Sequence, residues 1–197
     1  GVIGLGAIGS LVANAAAELN MTVYGYDPYM SVDAAWGLNS IVKHAPDLDT
    51  VFRESDYIMV QVHYHDETRH MLGAAEFAKM KQGVRIINLA RGELVNDEAM
   101  LAALASGKVA KYVTDFPNAR TANMPGCIAI PHLGASTEES EDNCAKMAVR
   151  QVMDYLENGN IVNSVNFPNC DMGVCTTAGR ITVLHKNIPN TLSRFTT

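Results

Sequence analysis

An arginine and a histidine each follow a short apolar run, in places where open α/β sheets bind their ligands. Arg91 comes after Val84 to Asn88, and its planar guanidinium suits two-point binding of a carboxylate. His132 comes after Ile128 to Ile130, and an imidazole, which titrates near neutral pH, can take up or release a proton. Singly, a loop histidine is usually structural and such an arginine is usually a surface charge. Together they predict proton transfer beside an anionic substrate.

A glycine-rich loop at the start of the chain has the spacing of a dinucleotide-binding turn. Gly4-Leu5-Gly6-Ala7-Ile8-Gly9 matches G-x-G-x-x-G, follows the apolar pair Val2-Ile3 and opens a helical pattern. The first glycine permits a tight turn, the second lets backbone approach a pyrophosphate, and the third lets helix pack on strand. Phosphates favour the unpaired N–H groups of a helix N-terminus. The loop predicts a dinucleotide site, and the alternative is a tight turn with no ligand.

Asp27 extends this prediction to the ribose of the dinucleotide. It stands 18 residues after Gly9, at the end of the next predicted strand. This is close to the spacing of ~20 at which an acid accepts hydrogen bonds from ribose hydroxyls. A carboxylate there repels a 2′-phosphate, which favours NAD over NADP as the cofactor. The alternative is that Asp27 only caps the turn at Asp27-Pro28.

The elements that would position these residues alternate between short apolar runs and helical patterns. This alternation is typical of βαβ units, so we predict an α/β fold with a doubly wound parallel sheet of the Rossmann type. Strands are predicted near Val2-Ile3, Met21 to Tyr26, Ile41 to Lys43, Tyr57 to Val62, Val84 to Asn88, Lys111 to Thr114 and Ile128 to Ile130. The clearest helices are predicted at Ala7 to Leu19, Leu48 to Glu54, Asp97 to Ser106 and Thr137 to Glu157.

The pattern changes towards the end of the chain. We predict a dinucleotide-binding domain over residues 1–165, a polar linker over 166–177, and the incomplete start of a further domain over 178–197. That last part opens with an alternating strand at Arg180 to Leu184. Gly1 is not a Met and already lies in a predicted buried strand, so we expect another domain to precede it.

Composition excludes several classes of function. The net charge of −6 and the pI of about 5.4 argue against sequence-independent binding of nucleic acid, which needs a basic surface. No apolar run approaches the ~20 residues of a membrane span, and the start lacks the layout of a signal peptide. The four cysteines show neither C-x-x-C pairing nor zinc-ligand spacing, which favours free thiols in a reducing compartment. We therefore expect a cytoplasmic protein with a small-molecule substrate.

Three ordered motifs resemble those of the D-2-hydroxyacid dehydrogenases: the glycine loop, Ile87 to Val95, and Pro131 to Thr137. The resemblance runs from Gly1 to about Pro168. It implies that Arg91 holds the carboxylate and keto oxygen of a 2-hydroxy acid, that His132 is the acid/base, and that Asp115 hydrogen-bonds the nicotinamide carboxamide. It further implies a set of cofactor-binding residues, which are Gly4, Gly6, Ala7, Ile8, Gly9, Asp27, Leu89, Ala90, Arg91, Asp115, His132 and Gly134.

Within this family, Pro131 to Glu139 and the tail most resemble members that oxidise 3-phosphoglycerate to 3-phosphohydroxypyruvate, the first step of serine synthesis. The tail from Gly179 to Asn190 resembles the opening strand and turn of an ACT domain, a module that senses amino acids. The resemblance therefore implies serine as a feedback effector. It also implies a separate substrate domain before Gly1 and a homo-oligomer.

The chain departs from the family pattern beside the histidine. Relatives have a glutamate in a D-V-F-x-x-E-P stretch that polarises the histidine, whereas this chain has Asp115-Phe116-Pro117-Asn118-Ala119-Arg120. Glu138, Glu139 and the substrate domain are candidate sources of a substitute carboxylate. Without one, His132 is expected to be a weaker base.

A second departure lies at Gln61-Val62-His63-Tyr64-His65, where relatives have an apolar end to the strand. His63, His65 and His70 with a nearby acid invite a metal interpretation. No third ligand has a motif spacing and the reaction needs no metal, so we predict none.

Two other functions remain open at this point. The missing glutamate favours a non-catalytic module that senses NAD, while the presence of both Arg91 and His132 opposes it. A hydroxypyruvate or glyoxylate reductase of the same family is the other alternative, and the ACT-like tail speaks against it.

Overall fold

The computed structural model describes residues 1–186, 188–191 and 193–196. The chain forms two compact units, Gly1–His132 and Leu133–Thr197. The first unit contains a seven-stranded parallel sheet with the strand order β3-β2-β1-β4-β5-β6-β7. Its strands are β1 (Val2–Ile3), β2 (Tyr24–Tyr26), β3 (Lys43–His44), β4 (Tyr57–Val60), β5 (Val84–Asn88), β6 (Val109–Thr114) and β7 (Cys127–Ala129).

The direction of strand addition reverses between β1 and β4. From β1 the chain adds β2 and β3 on one side, and it then returns to add β4 to β7 on the other. The connections after β1 and β4 therefore leave in opposite directions, and the carboxyl ends at such a reversal are where doubly wound sheets bind ligands. The predicted doubly wound α/β fold is confirmed.

Helices connect the strands of the first unit. They are α1 (Ala7–Glu18), α2 (Val32–Trp36), α3 (Leu48–Glu54), α4 (Ala74–Lys79) and α5 (Asp97–Ala105), with short 3-10 helices at Gly92–Leu94 and Thr121–Asn123. Side-chain caps fix where two of them begin. The Asp47 carboxylate accepts a hydrogen bond from the N–H of Thr50 (2.7 Å) before α3, and Asn96 accepts one from Ala99 (2.9 Å) before α5. These caps satisfy N–H groups that have no partner inside a helix.

Helices α2 and α4 were not predicted from the sequence. They have five and six residues, which is too short to display a helical repeat. Local caps hold them instead. Ser31 accepts a hydrogen bond from the N–H of Ala34, and the Glu76 carboxylate accepts one from the N–H of Gly73.

The main core is built on the central strands β4, β5 and β6. Alternate side chains of these strands pack with residues from α3, α4 and α5, and burying each large one contributes roughly 1.5–3 kcal/mol. Core side chains that are no more than 2% exposed include Phe52, Ile58, Val60, Phe77, Ile86, Met100 and Tyr112. A smaller cluster joins α1 to β1 and consists of Val2, Leu5, Ala13, Ala17 and Val23. The packed core thus holds the carboxyl ends of the strands in place.

The second unit is dominated by α6 (Glu138–Asn158). The Thr137 hydroxyl caps its start by accepting a hydrogen bond from the N–H of Ser140 (3.1 Å). It ends at Gly159, whose φ of 73° lies in the left-handed region that favours glycine. A short helix, α7 (Ser193–Thr196), follows near the end of the chain. No helix in the described part of the chain is long and apolar enough to cross a membrane.

The strand predicted at Arg180 to Leu184 is wrong, because these residues have no regular secondary structure. A strand needs a neighbouring strand for its backbone hydrogen bonds. Here the Arg180 guanidinium instead donates to the carbonyl oxygens of Asn158 (2.8 Å) and Gly173 (2.9 Å), which ties the segment to the end of α6. Asn187, part of the ACT-like stretch, lies outside the described residues. The domain boundaries proposed for residues 166–197 stay a prediction.

Candidate active site

The glycine loop after β1 has a backbone that two of its glycines make possible. Gly4 has a φ of 89°, and a Cβ atom there would overlap the carbonyl oxygen of Gln61, which follows β4. A Cβ atom on Gly9 would overlap the carbonyl oxygen of Gly4. Side chains at either position would therefore push α1 away from β1 and β4. The glycines bring the helix N-terminus to the point where the strand order reverses.

The space in front of this N-terminus fits a phosphate. Gly6 is the N-cap of α1 and provides no side-chain hydrogen bond, and the first turn carries no acidic residue. A Cβ atom on Gly6 would meet nothing within 4 Å, so the loop faces open space. Ala7 and Ile8 begin the helix there. Free N–H groups and the helix dipole at an open N-terminus suit the pyrophosphate of a dinucleotide.

Asp27 lies beside this loop, as predicted. One carboxylate oxygen accepts a hydrogen bond from the N–H of Leu5 (2.9 Å), and the other accepts one from the N–H of Tyr29 (2.9 Å). These contacts fix the carboxylate at the carboxyl end of β2. A carboxylate has about four acceptor positions, so both oxygens keep capacity for ribose hydroxyls. The turn-capping role and the ribose role are therefore compatible.

Asn88 organises the turn that carries Arg91. Its side chain is completely buried at the end of β5, where the amide donates to the carbonyl oxygen of Arg91 (2.8 Å) and accepts from the N–H of Ala90 (3.2 Å). The amide also donates to the hydroxyl of Tyr112 (3.3 Å). Burial raises the pKa of the Tyr112 phenol, and the hydrogen bond from Asn88 opposes that shift. Asn88 was not predicted as a site residue, although a lone amide closing the buried run Val84 to Asn88 was a usable signal.

Arg91 is exposed, but its guanidinium is held in place. It donates to the carbonyl oxygen of Ala90 (2.6 Å), and its central carbon lies 5.0 Å from the centre of the Phe116 ring. A cation over an aromatic face is attracted by the ring quadrupole. The arginine therefore presents part of its fork to solvent, as a carboxylate anchor must.

His132 lies on the same aromatic ring. The centres of the His132 and Phe116 rings are 4.3 Å apart and tilted by 43°. Phe116 is thus a shared contact that brings Arg91 and His132, 41 residues apart in the chain, into one neighbourhood. Its role was not predicted, because nothing in the sequence shows that one ring touches both side chains.

Asp115 supplies the carboxylate that the sequence appeared to lack. One of its oxygens lies 2.7 Å from Nδ1 of His132. Glu138, Glu139 and the substrate domain were the candidate sources of a substitute, and this contact was not predicted from the sequence. Asp115 and His132 are 17 residues apart and meet only when β6 and β7 pair. The implied contact of Asp115 with a nicotinamide stays a prediction.

The remaining predicted site residues divide between the two units. Leu89 and Ala90 are half-buried at the carboxyl end of β5, next to Arg91. Gly134 belongs to the second unit. His63, His65 and His70 lie in the segment after β4, and no group of three or more metal-binding side chains occurs within the ranges that the structure describes.

A cavity of about 550 Å³ borders the residues that follow Arg91. It is lined by Gly92, Phe116, Asn118 and a mixture of charged side chains that includes Glu93 and Arg120. Phe116, which contacts both Arg91 and His132, therefore also forms part of the cavity wall.

Three features define a dinucleotide-binding domain: a parallel sheet whose strand order reverses between β1 and β4, the glycine loop, and Asp27. Comparison with known proteins places this domain more closely. The family model described as "D-isomer specific 2-hydroxyacid dehydrogenase, NAD binding domain" matches residues 1–134. The chain belongs to this family, and its dinucleotide is NAD.

Individual relatives agree with this assignment. The chain is 35% identical over 174 residues to a D-3-phosphoglycerate dehydrogenase from Synechocystis sp., covering 85% of this chain and 31% of the relative. It is 36% identical over 165 residues to a hydroxypyruvate reductase from Thermotoga maritima, covering 79% and 52%. A crystal structure of a glyoxylate reductase from Paecilomyes thermophila superimposes with a TM-score of 0.73 at 29% identity, covering 84% and 51%. The chain thus spans about a third to a half of the length of these relatives.

Proposed function

We propose that the protein carrying this chain oxidises 3-phosphoglycerate to 3-phosphohydroxypyruvate with NAD. The observation that carries the proposal is the convergence of Arg91 and His132 on Phe116, at the carboxyl edge that also holds the glycine loop. A carboxylate anchor and an acid/base are the two groups that oxidation of a 2-hydroxy acid requires from the protein. Support for the phosphorylated substrate comes from relatives named D-3-phosphoglycerate dehydrogenase.

The roles of the side chains follow from their chemistry. Arg91 binds the substrate carboxylate through two N–H groups and orients the 2-hydroxyl towards His132. His132 accepts the hydroxyl proton on Nε2, since Nδ1 contacts Asp115. NAD, when bound, would supply the acceptor for the hydride of carbon 2. Loss of that hydride, together with the proton taken by His132, converts the alcohol into a ketone. In the reverse direction His132 returns the proton to the ketone oxygen.

A substrate panel with the full-length protein tests this proposal. We expect NAD-dependent oxidation of 3-phosphoglycerate with a kcat/KM at least about 10²-fold above that for D-glycerate, because a site built for a charged group loses its partner when that group is missing. Equal kcat/KM for the two acids would contradict phosphoglycerate as the substrate.

A hydroxypyruvate or glyoxylate reductase is the second candidate. It is favoured by the 36% identity to a hydroxypyruvate reductase and by the superposition on a glyoxylate reductase. The same panel separates the two, because this candidate predicts faster reduction of hydroxypyruvate or glyoxylate than of 3-phosphohydroxypyruvate.

Regulation and assembly are further parts of the proposal. We propose serine as a feedback effector acting through an ACT domain that begins near Gly179, a homo-oligomeric state, and a cytoplasmic location. Serine as an effector rests on the resemblance of Gly179 to Asn190 alone. The cytoplasmic location rests on four cysteines that are all free thiols. Removing the residues after Thr177 should abolish inhibition by serine while NADH still binds, and inhibition that survives would contradict the ACT assignment.

A further inference from the structure

Asp115 reaches His132 because of how the last two strands of the sheet pair. Thr114, at the end of β6, lies in register with Ala129 at the end of β7, and the N–H of Ile130 donates to the carbonyl oxygen of Thr114 (2.9 Å). The residue after each strand therefore leaves the sheet at the same edge. This fixes Asp115 next to the segment that carries His132.

The two side chains differ in their exposure. Asp115 is only 11% exposed, whereas His132 is 56% exposed. Nδ1 of His132 is the one hydrogen-bond partner of Asp115 within the described ranges, and the second carboxylate oxygen is buried without any. A carboxylate held in this way contributes little to stability, since burying a charge is unfavourable unless it is well paired. We therefore interpret the Asp115 carboxylate by its contact with His132, and not by a contribution to stability.

The loop after Asp115 is held by its own hydrogen bonds and contains no second carboxylate that could pair with His132. The Asn118 side chain accepts hydrogen bonds from the N–H groups of Arg120 (2.9 Å) and Thr121 (2.9 Å), which turns the chain directly into the 3-10 helix. The segment Phe116 to Arg120 contains no Asp or Glu.

We propose that Asp115 is the positioning residue of His132 and replaces the glutamate that is missing from this chain. This inference rests on the proposed function. By accepting a hydrogen bond from the Nδ1–H group, Asp115 selects the imidazole tautomer whose Nε2 is a free proton acceptor. Phe116 restrains the ring from the side. Asp115 also stabilises the imidazolium that forms when His132 takes the hydroxyl proton, although it does not touch the substrate.

The tautomer can be measured without any turnover. Two-bond ¹H–¹⁵N spectra of the ¹⁵N-labelled chain, assigned with His132→Asn, should show neutral His132 with its proton on Nδ1. Asp115→Asn should lose this preference, because a carboxamide can donate as well as accept. Asp97→Asn is the matched control, since Asp97 lies nearby but contacts Asn118, and it should leave the signal unchanged. An unchanged Nδ1–H signal in Asp115→Asn would overturn the inference.

Kinetics of the full-length protein provide the second readout. Asp115→Asn should lower kcat by about 10²- to 10⁴-fold, the usual contribution of a positioned acid/base. Asp115→Glu should restore part of the loss, because it returns a carboxylate. A weakened NADH affinity with unchanged kcat would instead make Asp115 a cofactor residue and contradict the proposal. If the unmodified protein shows no dehydrogenase activity, the proposed function fails, and the tautomer of His132 still decides the role of Asp115.

Discussion

Replacing Asn88 by alanine should have two effects: it should destabilise the first unit, and it should displace Arg91. Asn88 is fully buried and makes two hydrogen bonds to the turn, to the carbonyl oxygen of Arg91 (2.8 Å) and from the N–H of Ala90 (3.2 Å). Each contributes about 1 kcal/mol net, and leaving their partly buried partners unpaired adds a comparable amount. We expect the free energy of unfolding to fall by about 2 to 3 kcal/mol.

Urea denaturation of the chain, followed by far-UV circular dichroism, measures this loss. Asn96→Ala is the matched control, because it removes one amide cap from α5 and should lower the free energy of unfolding by only about 1 kcal/mol. In the full-length protein, Asn88→Ala should also raise the KM for the hydroxy acid while leaving the Kd for NADH unchanged. Equal destabilisation by the two variants, with an unaltered KM, would refute the role of Asn88 in holding Arg91.

Three further predictions concern the cofactor loop and the cysteines. Asp27→Ala should reduce the preference for NADH over NADPH in calorimetry, because it removes the charge that repels a 2′-phosphate, and equal affinities in the unmodified chain would contradict this. Gly9→Ala should abolish NADH binding in the same assay, since the added methyl group overlaps the backbone of the loop; retained affinity would show that the helix can shift freely. Contacts with Thr177 lower the pKa of the Cys175 thiol, whereas burial raises the pKa of the Cys127 thiol. Alkylation by iodoacetamide, followed by peptide mass spectrometry, should therefore begin at lower pH at Cys175 than at Cys127. The reverse order would contradict the local geometry.

The elements with a strong local signal could be predicted from the sequence. β5 and α3 have the predicted bounds, because a bounded apolar run and a capped helical repeat are both read within a few residues. The glycine loop and Asp27 also followed from spacing alone. Gly4 and Gly9 have steric requirements that the structure shows, and Asp27 accepts a hydrogen bond from the loop at Leu5.

The parts that depend on contacts distant in sequence could not be predicted. Asp115 was expected to serve only the cofactor, since nothing local shows that β6 and β7 pair to place it 2.7 Å from His132. The strand expected at Arg180 to Leu184 failed for a related reason, because alternation predicts a strand only where a partner strand exists. Regular patterns therefore located the site, while tertiary pairing decided which side chains meet in it.

The proposed function depends on NAD binding by this domain and on His132 as the acid/base of a hydroxy-acid dehydrogenase. It is tested most directly by comparing His132→Asn with the unmodified full-length protein, measuring kcat/KM for 3-phosphoglycerate and the Kd for NADH on the same preparations. We predict that kcat/KM falls by about 10²-fold or more while the Kd for NADH changes by less than about twofold. An undiminished kcat/KM would show that His132 is not the acid/base.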